Sequence, residues 1–307
     1  MFKLISKLGS LAILLVIGAP VQSQESPPVS FQTVGRISDF TLSETSGLTR
    51  SFLHPGLYWA INDGGHPSTL YAMNEQGQVK KRIRISGALN RDWEALTSYQ
   101  ANGKNYLVLA EIGDNDAEYD YYLVYFIEEP DITKDTDVSI AWKLDFRYED
   151  GPRDSESIAV DTNRNKILIL SKRSKIKHIY ELPLLGQDTA NLVAKHVGNL
   201  HKLEQPSVID MLFRRNRNRF DGMPTDMAFS EDGNLAAVLT YAKIYLFKKD
   251  STESFVQTLS HTPIVIDLPG LAQAESISFT HDDKALLVTS EGEYPEVLKL
   301  DIEEMME

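Results

Sequence analysis

Five acids introduce five copies of one short pattern: Glu44 (ETSGL), Glu94 (EALT), Glu156 (ESIAV), Asp226 (DMAF) and Glu275 (ESISF). In each copy an acid is followed by alternating apolar residues. Carboxylates at equivalent points of a repeat are the raw material of a cation site, because oxygen donors suit Ca2+ or Mg2+. Without a cation, acids crowded together raise one another's pKa values. The alternative for each acid is structural, binding backbone N–H groups at a strand start. The absence of cysteine and of a close-spaced histidine pair argues against Zn2+.

A second set of polar residues ends the apolar runs that follow. It comprises Asn62 and Asp63, Glu111 with Asp114 and Asn115, Lys172 and Arg173, Tyr241, and Glu291. A third feature is an insertion at 202–222, where Arg214, Arg215, Arg217 and Arg219 interrupt an otherwise acidic chain. Arginine forks recognise phosphate or carboxylate, although a solvated loop balancing local acid is the competing reading. No G-x-S-x-G elbow and no glycine-rich phosphate loop is present.

The elements that must position these residues are strands. Short runs such as NYLVLAEI (105–112), KILILSK (166–172) and ALLVTSE (285–291) are bounded by Gly, Asn, Asp and Pro, as in an all-β domain with tight turns. After each acid the same unit follows: a strand, a turn, a second strand and a third. In the first four copies a fourth strand follows: QVKKRIRI, VSIAWKLDF, LVAKHVGNL and TPIVIDL. Four strands per repeat at this spacing predict a β-propeller. The fifth copy has only three strands, and the unrepeated segment PVSFQTVGRISDF (28–40) supplies the missing one. The expected fold is therefore a five-bladed propeller closed by its N-terminal strand. Six blades are the alternative if 202–222 hides a further strand pair. In such a ring the starts of the first strands and the ends of the second strands share one mouth of the central channel. A short helical turn is expected at 212–220.

Lys3 and Lys7 precede an apolar run at 11–19 and small residues up to Ser23. This predicts a secretory leader at 1–23, an uncleaved anchor being the alternative. Residues 24–30 read as a flexible lead-in, and 31–307 as a single propeller domain. A periplasmic or secreted location follows, with no membrane span after the leader is removed. The 307-residue chain has no cysteine and a formal charge of −13. These exclude a disulfide scaffold, a thiolate metal site and a thiol nucleophile, and they argue against nucleic acid as a partner.

Taken in order, SETSGL, INDGG, DWEAL, EIGDND, YFIEEP and GPRDSESIAVD resemble the motifs of a bacterial family of exported β-propellers. That family is grouped loosely with phytase-like, esterase-like or SdiA-regulated propellers, and the likeness covers about residues 40–290. One departure is that the arginine often following the G-D-N loop there is absent from 116–122. More distantly, the inner-strand motifs are similar to those of calcium-activated nucleotidases of the apyrase type. That resemblance implies Ca2+ held by Ser46, Glu94, Glu156 and Glu275, with Thr225 or Asp226 from the fourth blade.

Two functions are expected from these readings. One is a metal-binding module, for Ca2+ with Mg2+ as the alternative, that uses Ser46, Glu94, Glu156, Asp226 and Glu275 as ligands. It would present a small anionic ligand, or an envelope or extracellular protein, to Asn62, Asp63, Asn115, Lys172, Arg173, Arg214 and Arg215. The other is a metal-dependent hydrolase of phosphoesters or phosphoanhydrides, with Glu94 or Asp114 as the base.

Overall fold

Runs of Val, Ile, Leu, Tyr and Phe punctuated by Gly, Asn and Asp leave little for a helix to use. In the computed structural model, which describes residues 29–204, 222–271 and 273–306, the chain is all-β. One four-residue α-helix, α1 (Phe255–Thr258), stands among the described strands, capped by Ser254 and Gln257. The expected leader and lead-in, the helical turn at 212–220 and nearly all of the 202–222 insertion lie outside the described residues.

The strands fall into groups in chain order. Strand β1 (Phe31–Arg36) comes first but belongs to the last group. The first group is β2 (Thr45–Arg50), β3 (Leu57–Asn62), β4 (Thr69–Asn74) and β5 (Val79–Ser86). The second is β6 (Trp93–Ala101), β7 (Lys104–Glu111) and β8 (Tyr122–Glu128), followed by β9 (Asp137–Ser139) and β10 (Trp142–Tyr148). The third is β11 (Ser155–Asp161), β12 (Lys166–Ser171), β13 (Lys177–Pro183) and β14 (Thr189–Leu200). The fourth is β15 (Pro224–Phe229), β16 (Leu235–Thr240), β17 (Lys243–Lys248) and β18 (Ile264–Asp267). The fifth is β19 (Ala274–Phe279), β20 (Ala285–Ser290) and β21 (Glu296–Asp301).

Apart from β9, neighbouring strands of each group pair antiparallel, most through short hairpin links and β17 to β18 through a longer one that carries α1. Asn102 and Gly103, both with positive φ, make the tight turn from β6 to β7. Strand β1 pairs antiparallel with β21, Phe31 opposite Leu300 and Arg36 opposite Glu296, so the first and last described strands share one sheet.

The first strands lie against one another in cyclic order: β2 on β6, β6 on β11, β11 on β15, β15 on β19, and β19 back on β2. The core follows the same order. Five apolar clusters fill the spaces between consecutive groups, the fifth joining Leu287 and Val297 to Leu48, Tyr58 and Met73. In β7, Leu107 and Leu109 face the first group while Val108 and Ala110 face the third. Both faces of such a strand are buried, which is why its sequence is a continuous apolar run.

One element differs from expectation. The stretch VSIAWKLDF reads as one strand but divides in two. Strand β9 adds in parallel to β5 of the first group, and β10 pairs with β8. Strand β14 pairs with β13 and also runs parallel to β10, joining two groups into one eight-stranded sheet. The outer edges of β5 and β10 are thereby covered, which removes two templates for aggregation.

Candidate functional site

Every first strand carries a bulge at the same place. The pairing with the second strand skips Ser46 in β2, Glu94 in β6, Glu156 in β11, Thr225 in β15 and Glu275 in β19. A bulge leaves one residue out of the ladder and re-aims its side chain. Three carboxylates and two hydroxyls therefore occupy equivalent points where neighbouring strands begin. Glu44 lies two residues before this point and Asp226 one after it, so the motif alignment was out of register in two copies.

The hydroxyls stitch the ring. Ser46 Oγ donates to the Trp93 carbonyl at 2.9 Å, and Thr225 Oγ1 to the Ala274 carbonyl at 2.8 Å. Ser276 Oγ, one position after a bulge, donates to the Thr45 carbonyl at 3.1 Å. Asp226 is wholly buried, and its two oxygens accept from the backbone N–H groups of Met227 (2.8 Å) and Ile277 (2.9 Å). Its carboxylate thus ties β15 to β19.

The glutamates gather instead. Glu94, Asp154 and Glu156, all buried, bring oxygens within 4.8 Å of one another, and Asp63, Asp92 and Glu94 form an adjoining group. Lys172, also buried, donates to Glu156 and to Tyr241 OH, the latter at 2.8 Å. Burial opposes the lysine charge, but Glu156, Glu275, Tyr241 and Glu94 outweigh it and hold the ammonium above the ordinary lysine range. One ammonium does not balance so many acids. Burial, then Glu156 and Asp63, push Glu94 well above the usual carboxylate range. Burial and then Glu156 do the same to Glu275. Burial, with Asp63 and Asp154 beside it, raises Asp92 to about 6. Burial, with Glu44 and Asp63, raises Glu291 to about 7.

Two motif glycines make room for this cluster. A Cβ on Gly113 would stand 2.5 Å from the Asp92 carboxylate and 2.6 Å from Glu94 Oε1. One on Gly64 would stand 2.8 Å from Asp92 Oδ1. The INDGG and EIGDND motifs thus let backbone approach the acids closely.

The other sequence candidates take varied places. Asp114 accepts from the N–H groups of Glu118 (2.8 Å) and Tyr119 (2.9 Å) and from Tyr122 OH (2.6 Å), organising its own loop. Asn62 accepts from Glu44 N–H at 3.1 Å and donates to the Thr41 carbonyl at 2.6 Å. Asp63 accepts from the Gly64 N–H and belongs to the second acid group. Arg173 pairs with Asp154 at 2.7 Å and donates to exposed Asn115. The charges of Lys172 and Arg173 are therefore each met by a carboxylate. Arg214 and Arg215 lie outside the described residues.

At the far end of the first strands, residues of all five line a cavity of about 270 Å3. Buried Arg50 crosses it, donating to Asp283 at 2.6 Å and to the Thr280 and Phe229 carbonyls at 3.3 Å. Sequence spacing also missed His178 and His196. They stack with centroids 4.5 Å apart on β13 and β14, beside Asp150. Only strand pairing, in which Tyr180 opposes His196, brings them together.

An all-oxygen acid cluster suits a hard divalent cation. Two oxygens on one Ca2+ lie no more than about 5 Å apart, which the spacing of Glu94, Asp154 and Glu156 meets. Glu156 Oε2 is buried and accepts no hydrogen bond, leaving a lone pair for such an ion. No family model matches the chain, and no curated protein matches it.

Proposed function

We propose that this chain is an exported five-bladed β-propeller that binds a divalent cation, Ca2+ or Mg2+, at one mouth of its central channel and acts as a binding module there. The cyclic order of the five first strands, with a core cluster between each pair of groups, supports five blades rather than six. The N-terminal sequence supports export, and no helix among the described residues is long and apolar enough to cross a membrane.

The observation that carries the ion is the buried trio Glu94, Asp154 and Glu156, whose carboxyls outnumber the two cations that pair with them, Lys172 and Arg173. Glu275 completes the acid set, and Ser46 sits at the equivalent bulge of the first blade. Chelator-stripped protein should gain melting temperature on addition of Ca2+ or Mg2+, since an ion that binds only the folded state stabilises it by linkage. Glu94→Gln and Glu156→Gln should each remove that gain. No gain in the unaltered chain would end the ion reading.

A second reading, metal-dependent hydrolysis of a phosphoester or phosphoanhydride, draws on Asp92 and Glu291. Carboxyls that titrate at about 6 and about 7 are matched to proton transfer near neutrality. Glu94 would then serve as base beside the ion. Turnover of nucleotide or phosphomonoester substrates that needs Ca2+ or Mg2+ and is lost in Glu94→Gln would select this reading; stabilisation without turnover selects the binding module.

A further inference from the structure

The loops that enter the first strands and the loops that join second to third strands emerge at the same end of the ring. Five of the large apolar side chains exposed in this protein sit on those loops. Phe40 and Leu89 precede β2 and β6; Tyr121, Ile176 and Tyr294 follow β7, β12 and β20. Each is at least 45 % exposed. The other large apolar residues exposed among the described ones, Val29, Leu53, Val197, Ile264 and Val265, lie away from these loops and are less exposed, at 38 to 44 %. Single exposed apolar residues need no explanation, but a concentration of them on one face marks a contact surface.

Two of these residues are held for display. The Arg91 guanidinium donates to the Tyr121 carbonyl at 3.3 Å and lies 5.5 Å from its ring and 3.9 Å from that of Tyr119. Tyr294, directly before Pro295, has φ +52, a left-handed conformation that bulky side chains avoid. Strain of that kind persists where surrounding structure imposes it, and it collects at functional sites.

Among the described residues, acid outnumbers cation at the centre of this face. Arg91 is paired with Glu111 at 3.1 Å, Arg153 with Asp150 at 2.8 Å, Arg173 with Asp154, and Lys172 with Glu156, while exposed Lys175, beside Ile176, is a rim cation outside these pairs. Among the described residues no ion pair engages Asp63, Asp92, Glu44 or Glu291.

We propose that this face docks a basic protein segment, whose apolar side chains rest on Phe40, Leu89, Tyr121, Ile176 and Tyr294 while its lysines or arginines meet the uncompensated carboxylates at the centre. Aromatic rings beside carboxylates attract cations through both the ring quadrupole and the charge. The proposal deepens the binding-module reading and does not depend on the divalent ion.

The test is fluorescence anisotropy of the full mature chain, in chelator, with a labelled decapeptide alternating Lys and Phe. Matched Glu/Phe and Lys/Ser peptides serve as comparisons. The Lys/Phe peptide should bind at least tenfold more tightly than either, and more weakly as salt rises. The double variant Phe40→Ser with Leu89→Ser should lose at least tenfold in affinity at an unchanged melting temperature. Leu53→Ser, on the opposite face, should bind as the parent does. Absence of Lys/Phe binding, equal binding of the Glu/Phe peptide, or an unaffected double variant would each overturn the proposal. So would a concentration-dependent dimer that the double variant dissolves, since a second copy would then be the occupant. Failure of Ca2+ to stabilise the chain, with the peptide result intact, would remove only the ion.

Discussion

Lys172 donates to Glu156 inside a cluster where neither side chain is more than 6 % exposed. The lysine is a tethered cation among acids, and it stands where a mobile cation would otherwise be drawn. Its charge is fixed in number, whereas Glu94, Glu275, Asp63 and Asp154 crowd further carboxyls around it.

Lys172→Met removes that tethered charge at nearly constant volume. Breaking a buried pair on one side leaves the other charge uncompensated, at a cost of about 3 to 5 kcal/mol. In chelator the variant should unfold at correspondingly lower denaturant. Added Ca2+ should then restore more stability to the variant than it adds to the parent, because one competitor for the acids is gone. Urea melts with and without Ca2+ measure both quantities. An equal or smaller Ca2+ effect in the variant would show that ion and lysine do not share the site.

Gly113→Ala tests how tightly the backbone is set against the acids. Its Cβ would enter within 2.6 Å of both Asp92 and Glu94. Overpacking of this sort costs about 1 to 3 kcal/mol, and relief requires the carboxylates to move. Lower stability together with a weakened Ca2+ response is expected. Gly186→Ala, with nothing within 4 Å of its added Cβ, should change neither. If Gly113→Ala melts like the parent with the Ca2+ response intact, the close approach is not a constraint.

The pH profile has a definite sign. Asp92 rises from 3.8 to about 6, and Glu291 from 4.5 to about 7, both through burial first and neighbouring acids second. A carboxyl whose folded pKa is raised binds its proton more tightly when folded. Its stabilising contribution is full below the unfolded value and is lost as pH climbs through the folded one. Chelator-treated protein should therefore lose stability between about pH 4 and pH 7, and saturating Ca2+ should flatten that decline. A melting temperature that rises across the same interval in chelator would contradict the acid surplus.

The strands were legible because turns and apolar runs are local signals. NYLVLAEI, KILILSK and ALLVTSE all became strands, and PVSFQTVGRISDF supplied β1 on the edge of β21. The site was legible only in part. The acid repeat aligns Glu94, Glu156 and Glu275 with the bulges but offers Glu44 and Asp226 where the bulges present Ser46 and Thr225, the two residues that the nucleotidase resemblance, not the acid repeat, puts forward. A bulge is a backbone event that shifts register by one residue, and acid identity carries no trace of it. The division of VSIAWKLDF and the meeting of His178 with His196 were hidden for a related reason. Both depend on which distant strand lies alongside, and periodicity within one strand does not encode its neighbour.

Asp226 separates the two roles open to an acid in this ring. Its oxygens already accept two backbone N–H groups, one on the neighbouring first strand. Burial pushes its pKa well up while those two donors pull it back. Asp226→Ala leaves two buried donors without an acceptor, at about 1 to 3 kcal/mol each. The variant should therefore be strongly destabilised, yet its remaining folded population should still gain stability from Ca2+ as the parent does. Glu156→Gln should show the reverse, a smaller loss in chelator and no gain from Ca2+. Differential scanning calorimetry of the two variants with and without the ion reads this contrast directly. If Asp226→Ala abolishes the Ca2+ gain, the aspartate joins the ion's ligands and the ring-stitching account of it fails.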